Sequence, residues 1–395
     1  MPVDPTVYLR KADVMRRHYR LMIPGPVEVD PEVLSHMSDP LMAHYGDEWV
    51  EIWNGVIANL KQVIGTTGDV LVVVGSGNTA NDIVVNSLFN PGDRALALNN
   101  GLFGQRLVEL CQAHGVETVE IEKPWGVPFT AEDIHRAVRE NTGLKAALIV
   151  HGETSTGIAN PIQELAQAAR SHGLVVMADT IASLGGEPYR MDEWGIDMTV
   201  CASQKALEAP PGLGIVAVGE RAWTLMGARR KPRGWMTDLQ LLRKYAQEQA
   251  NFHPHPGTMP VNAFVALRKS TQFILEEGLE YRWVRHNRIA RVMRNGVRGM
   301  GLRVLAQEDA ACVNLTVIMA DGKFDPGDLQ AYLKAQYGMH IARGIGPYFD
   351  KAVRVGHMGP NASMEAIVPF LVGMEQYLRK QGHDIPRGAC LAGVE

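Results

Sequence analysis

Between about residues 55 and 220, short apolar runs alternate with amphipathic stretches, and this alternation restricts the chain more than any other feature. Runs at 70–74, 94–98, 118–121, 146–150, 174–178, 198–201 and 214–218 have the length and composition of buried strands. Stretches at 102–114, 130–140 and 162–172 repeat their apolar residues with helical spacing. Strands separated by helices form right-handed βαβ units, so the expected fold is α/β, with a large domain built on a mostly parallel seven-stranded sheet. In such a sheet, ligands bind at the carboxyl ends of the strands. Later the pattern changes to helices at 261–277 and 282–300, a strand at 312–318, a helix near 326–337, a strand at 352–356 and a last helix at 364–381. These imply a smaller C-terminal α+β domain. The expected division is an N-terminal arm (1–20), a large domain (21–277) and a small domain (278–395).

Composition narrows the classes of partner. A net charge of −4 gives no basic field for nucleic acid or an anionic membrane surface. No apolar run approaches the ~18 residues of a membrane span. The N-terminal stretch carries Arg10, Lys11, Arg16 and Arg17 among acids, unlike a secretory leader. The final Leu391-Ala392-Gly393-Val394-Glu395 matches no peroxisomal tripeptide. Cys111, Cys201, Cys312 and Cys390 are scattered without a CxxC pair, as expected of reduced thiols in a cytoplasmic protein.

The apolar run at 174–178 ends in Asp179-Thr180, and 26 residues after Asp179 a Ser/Gln/Pro/Gly-rich turn carries Lys205. Either residue alone is ordinary, a surface lysine or a strand-end cap. Together they suit pyridoxal 5′-phosphate (PLP), whose aldehyde forms a Schiff base with an amine and whose ring withdraws electrons when a carboxylate keeps its nitrogen protonated. Gly75-Ser76-Gly77-Asn78-Thr79-Ala80 lies between a strand and a helix expected at 81–88, and it also fits the dinucleotide fingerprint G-x-G-x-x-A. A dinucleotide unit would place an acid at the end of the following strand, where this chain has Asn99-Asn100-Gly101. A single phosphate on backbone N–H groups is therefore the better ligand.

Phe103, just past the next strand, can stack on a pyridine ring or belong to the core. The segment His151-Gly152-Glu153-Thr154-Ser155-Thr156-Gly157 brings hydroxyls to the same sheet edge, or supplies turn and cap residues. Arg354 is a lone cation in an apolar strand, and its guanidinium suits a substrate α-carboxylate or a structural ion pair. His151 and His357 read as ordinary polar residues, and no His/Cys/carboxylate spacing resembles a metal site.

Taken together these motifs resemble the class V (fold type I) PLP-dependent aminotransferases, in the alanine–glyoxylate and serine–glyoxylate branch. The likeness runs from Pro24-Gly25-Pro26 through 151–157, 179–186 and 203–212 to 354–359, nearly the whole chain. It implies a Schiff base at Lys205, a pyridinium partner at Asp179 and a ring-stacking Phe103. It implies cofactor contacts from Ser76, Gly77, Asn78, Thr154 and Gln204, and substrate contacts from Arg354, Pro24 and Gly25. It also implies a homodimer in which Thr258 and His255 of one subunit complete the site of the other. The chain departs from the family at two positions. Phe103 stands where Trp or His is common, and His255 stands where a Tyr often precedes the phosphate-binding Thr258 by three residues.

The implied activity is transfer of an amino group from a small amino acid to glyoxylate or pyruvate. Two alternatives share the fold. A cysteine desulfurase or related lyase needs a cysteine shortly before the arginine, and 340–350 contains none. A pyridoxamine–pyruvate aminotransferase has a segment similar to Gly356-His357-Met358-Gly359-Pro360. The amino donor stays open among alanine, serine and aspartate.

Overall fold

The computed structural model describes residues 19–228 and 234–393, so the expected arm at 1–20 lies almost wholly outside the described residues. The central sheet consists of β1 (Asp69–Val74), β2 (Arg94–Asn99), β3 (Glu117–Glu122), β4 (Leu144–Val150), β5 (Val175–Asp179), β6 (Met198–Ala202) and β7 (Leu213–Val218). Their spatial order is β1-β7-β6-β5-β4-β2-β3. All neighbours are parallel except β7, which runs antiparallel to both β1 and β6. The expected mostly parallel seven-stranded sheet is therefore present.

Around the strands the chain forms α1 (Asp47–Ile64), α2 (Gly77–Leu88), α3 (Leu102–Ala113), α4 (Ala131–Glu140), α5 (Ile162–Ser171), α6 (Glu220–Gly227), α7 (Leu239–Glu248) and α8 (Val261–Glu277). Alternate strand residues serve opposite faces. Val72, Leu96, Ile149, Val176 and Ile215 meet α1, α4, α5 and α8 in one core. Leu71, Leu148, Met177, Val200 and Val216 meet α2, α3, α6 and α7 in the other. Every residue of β5 and β7 is buried, which explains why these strands read as unbroken apolar runs.

A second, antiparallel sheet contains β8 (Arg303–Val304), β9 (Leu315–Met319), β10 (Ala342–Arg343) and β11 (Ala352–Gly356), in the order β8-β9-β11-β10. Helices α9 (Leu279–Gly299), α10 (Pro326–Tyr337) and α11 (Met364–Lys380) share its core through Met293, Leu333 and Phe370 against Ile318, Val353 and Val355. Among the described residues no helix is long and apolar enough to cross a membrane.

Three element starts differ from expectation by three residues or more, each for a local reason. Helix α2 begins at Gly77, not at 81, because Ser76 and Thr79 form a capping box around its first turn. Helix α9 begins at Leu279, not at 282, because Gly278 (φ 82°) turns the chain within one residue between α8 and α9. Strand β9 begins at Leu315, not at 312, because the preceding backbone bonds elsewhere. Cys312 N donates to Gly157 O (2.9 Å) and Val313 N to the Glu187 carboxylate (2.8 Å).

Candidate active site

Strands β1, β4, β5 and β6 deliver their carboxyl ends to one edge of the sheet, and a cleft opens there. One side is the start of α2, with Ser76, Gly77 and Asn78; the floor holds Asp179, Ile181 and Ala182. Phe103, Gly152 and Thr154 contribute another side, and Gln204 and Lys205 complete the lining. The first N–H groups of a helix have no partner within it and carry the positive end of its dipole. Ser76 satisfies Thr79 N (3.3 Å), which leaves the N–H groups of Gly77 and Asn78 for an anion. A Cβ at Gly77 would lie 2.4 Å from Ile181 Cδ1, so a larger residue there would require Ile181 to shift. The dinucleotide alternative fails on topology. The neighbour of β1 is the antiparallel β7, and β2 lies beyond β7, β6, β5 and β4.

Asp179 is buried, with one carboxylate oxygen accepting from Asn81 Nδ2 (2.7 Å) and the other from Ile181 N (2.9 Å). Burial pushes its carboxyl up, while these two bonds favour the anion. Asn81 lies one helical turn past Gly77, so a single helix presents an anion cradle and orients the carboxylate.

Lys205 donates its Nζ to Pro24 O. Burial, and then the charge of Arg354, pull its ammonium down to about 8, with Asp179 opposing them. The approach of the 24–26 segment is close. Gly25 has φ 105°, and a Cβ there would lie 2.4 Å from Lys205 Cδ. The turn itself is held by Val27 N on Gln204 O (3.1 Å) and by Ser270 Oγ on Leu207 O.

Phe103 enters the cleft from the first turn of α3, which the buried Glu153 caps. One oxygen of Glu153 accepts from Phe103 N (3.0 Å) and Gly104 N (3.1 Å), and the other from Ser155 Oγ (2.6 Å). The hydroxyls of the 151–157 segment thus divide. Thr154 lines the cleft, whereas Ser155 and Thr156 bond back to Glu153. His151 is buried against Tyr189, and His357 bonds Thr316 Oγ1 (2.8 Å) on β9.

Arg354 lines an adjoining cavity that also includes Pro24 and Gly25 and shares Phe103, Thr154 and Lys205 with the first. Its guanidinium donates to Arg343 O (3.0 Å) and Thr154 O (3.4 Å), and among the described residues no carboxylate pairs with it. Burial lowers its pKa, and the charge of Glu153 opposes this. The structural ion pair considered for it is absent among the described residues.

His255 and Thr258 are not brought to the Lys205 cleft within this chain. They line a separate cavity with Val74 and Thr79, behind the start of α2. His255 packs on Trp49 and Trp53, and burial pulls its imidazole down to about 4, so it is neutral at pH 7.

The cleft fits PLP on its own geometry. It offers a helix start that a glycine keeps open, an amine, and a buried carboxylate. Gln204 Oε1 beside Lys205 is a buried polar atom without a partner. Reading the sequence missed Asn81, Glu153 and Ile181. The first was read as the opening residue of a helix, the second was treated as part of a turn, and the third follows Asp179 by two.

The family model for class V aminotransferases matches residues 34–347. The chain belongs to the class V aminotransferase family. It is an enzyme, a transaminase, with the type I fold of PLP-dependent transferases. An uncharacterized aminotransferase of Methanocaldococcus jannaschii is 33% identical over 375 residues, 95% of each chain. The ureidoglycine–glyoxylate aminotransferase of Bacillus subtilis superposes with a TM-score of 0.90 at 31% identity, covering 95% of this chain and 97% of that one. The pyridoxamine–pyruvate aminotransferase of Mesorhizobium loti superposes with a TM-score of 0.88 at 26% identity over 95% of each chain. The resemblance read from the motifs holds across the whole aminotransferase fold.

Proposed function

We propose that this transaminase binds PLP in the Lys205 cleft and moves the amino group of a small amino acid to glyoxylate or pyruvate. The observation that carries the reading is a half-buried amine and a buried carboxylate lining one cleft with an open helix start. Ser76, Gly77 and Asn78 would hold the phosphate, Asp179 the ring nitrogen, and Phe103 and Ile181 the ring faces, with Thr154 and Gln204 at its edge. PLP, when bound, supplies an aldehyde for amines and an electron sink for the carbon next to the amino group. The chain contributes the rest. Lys205 Nζ, with its lowered pKa, releases and takes back a proton beside the reacting carbon. Arg354, which pairs with no carboxylate among the described residues, receives the α-carboxylate of donor and acceptor in turn, with Pro24 and Gly25 as the wall beside it.

Glyoxylate is the acceptor in the name of the B. subtilis relative, and an acceptor this small needs little beyond the carboxylate site. The test is a panel of alanine, serine and aspartate against glyoxylate and pyruvate. Turnover with at least one pair supports the reading, and no transamination with any pair defeats it. Likeness to the M. loti enzyme favours a second reading, transamination of free pyridoxamine. The open α2 start argues for a bound phosphate instead, and phosphate-free pyridoxamine as amino donor separates the two. A desulfurase is disfavoured because all four cysteines are buried and none lines the cleft.

The proposal includes a homodimer in the cytoplasm. Val74, Met236, Tyr45 and Phe252 are exposed beside the cavity that holds Thr258 and His255, an apolar patch suited to a second copy of the chain. Covering it would bring these residues toward the phosphate of the other subunit. The large and small domains would divide at Gly278, between α8 and α9.

A further inference from the structure

Arg282, on α9, is buried and holds four acceptors at once. Its Nε donates to Gly185 O (2.7 Å), in the turn that follows Asp179. One terminal nitrogen donates to Ala206 O (3.0 Å) and to the Glu208 carboxylate, both in the turn that carries Lys205. The other donates to Glu277 (2.7 Å), the last residue of α8. Glu208 is one of two non-glycine residues with positive φ among the described residues, at 57°. Such a conformation persists where the surroundings impose it, and strain of this kind collects at functional sites. Its carboxylate ends on Arg282, so the strained residue and the guanidinium hold each other.

The same helix reaches the arginine side of the cleft. Arg285 donates to Gly359 O (3.0 Å) and Ala362 O (2.8 Å), and His286 Nε2 accepts from Gly359 N (3.0 Å). Gly359 follows the end of β11, the strand of Arg354, by three residues. Arg285 and Arg282 share Glu277.

We propose that Arg282 is a positioning residue for transamination, fixing the spacing of the Lys205 and Asp179 turns and tying both, through α9, to the strand of Arg354. The proposal rests on the reading of Lys205 as the reacting amine. A purely structural ion pair would be satisfied by Glu208 and Glu277. Two of the four acceptors are instead backbone carbonyls, one directly after Lys205 and one in the Asp179 turn. A planar guanidinium can span them, whereas an ammonium, as a point charge, cannot.

The test compares Arg282→Lys, Glu208→Gln and the double variant Arg282→Met/Glu208→Gln with the parent, each saturated with PLP and folded by circular dichroism. Arg282→Lys is expected to lower kcat by about tenfold or more, with KM for the amino acid and PLP content within about threefold of the parent. The pH midpoint of the visible band of bound PLP is expected to move by about half a unit or more, a readout that loss of stability alone does not change. Glu208→Gln keeps both carbonyl bonds and is expected to stay within about threefold of the parent in kcat. The double variant removes both charges of the pair, so it is expected to fold and to show the same kinetic and spectral loss as Arg282→Lys. A fall in melting temperature with kcat and midpoint unchanged, in either the lysine or the double variant, would overturn the proposal. A parent that forms no visible band with PLP would overturn the Lys205 reading as well.

Discussion

Asp179 and Arg354 are ionisable groups beside Lys205, one buried and one half-buried, and the chain holds them in opposite ways. Each Asp179 oxygen has a neutral donor, Asn81 Nδ2 or Ile181 N, fixed by a helix or the following turn. Arg354 touches only carbonyl oxygens and meets no paired carboxylate among the described residues. The neutral donors of Asp179 fix its carboxylate's direction and oppose the burial that pushes its carboxyl up, so it is placed to meet a cation. A half-buried guanidinium without a paired carboxylate gains most when an anion arrives. On the proposed function, the cofactor side of the cleft would be finished before any ligand binds, and the substrate side would be completed by the substrate.

The contrast can be broken at several points. The largest effect is expected from Lys205→Ala, which should abolish turnover and the visible PLP band while the fold is kept, because only the amine is lost. Retained transamination with normal kinetics, measured in the same assay, would remove Lys205 from the reaction.

Asp179→Asn comes next. A neutral amide cannot stabilise a charged ring nitrogen, so kcat should fall by about 100-fold, roughly 2.7 kcal/mol of barrier. PLP content, read from its absorbance after release, should stay near the parent value. A fall of less than about tenfold would make Asp179 a structural residue only.

Arg354→Ala sharpens the other half of the comparison. Losing a charge-assisted carboxylate partner should cost about 2–3 kcal/mol in kcat/KM for donor and acceptor alike, with PLP content unchanged. Loss of PLP with an unaltered KM for the amino acid would place this arginine at the wrong ligand.

The smallest effect is expected from Asn81→Ala. It removes one hydrogen bond to the Asp179 carboxylate, a loss of about 1.5 kcal/mol, and should lower kcat by roughly tenfold. A change larger than that of Asp179→Asn would show that Asn81 acts on something other than Asp179.

The strands, their direction and the two central residues were legible in the sequence because each is a local pattern. A fully buried strand is an unbroken apolar run, and Asp179 and Lys205 follow two such runs directly. What was illegible is made by distant pairs. Asn81 meets Asp179 98 residues away and Phe103 N meets Glu153 50 residues away, and neither spacing leaves a periodic trace. Two carboxylates show the limit most clearly. Glu153 looked like a turn residue and caps α3, and Glu208, in the turn after Lys205, holds Arg282. Thr258 and His255 mark a further limit, since their proposed role needs a second chain.

The central claim is that Lys205 Nζ is the group that captures PLP. The direct measurement is to incubate the protein with PLP, reduce it with borohydride, digest it and locate the pyridoxyl group by mass spectrometry, repeating this across pH. The account expects the adduct on the peptide containing Lys205, with its rate of formation rising through a midpoint of about 8 as the lowered ammonium loses its proton. An adduct on another lysine, or none at any pH, would contradict it.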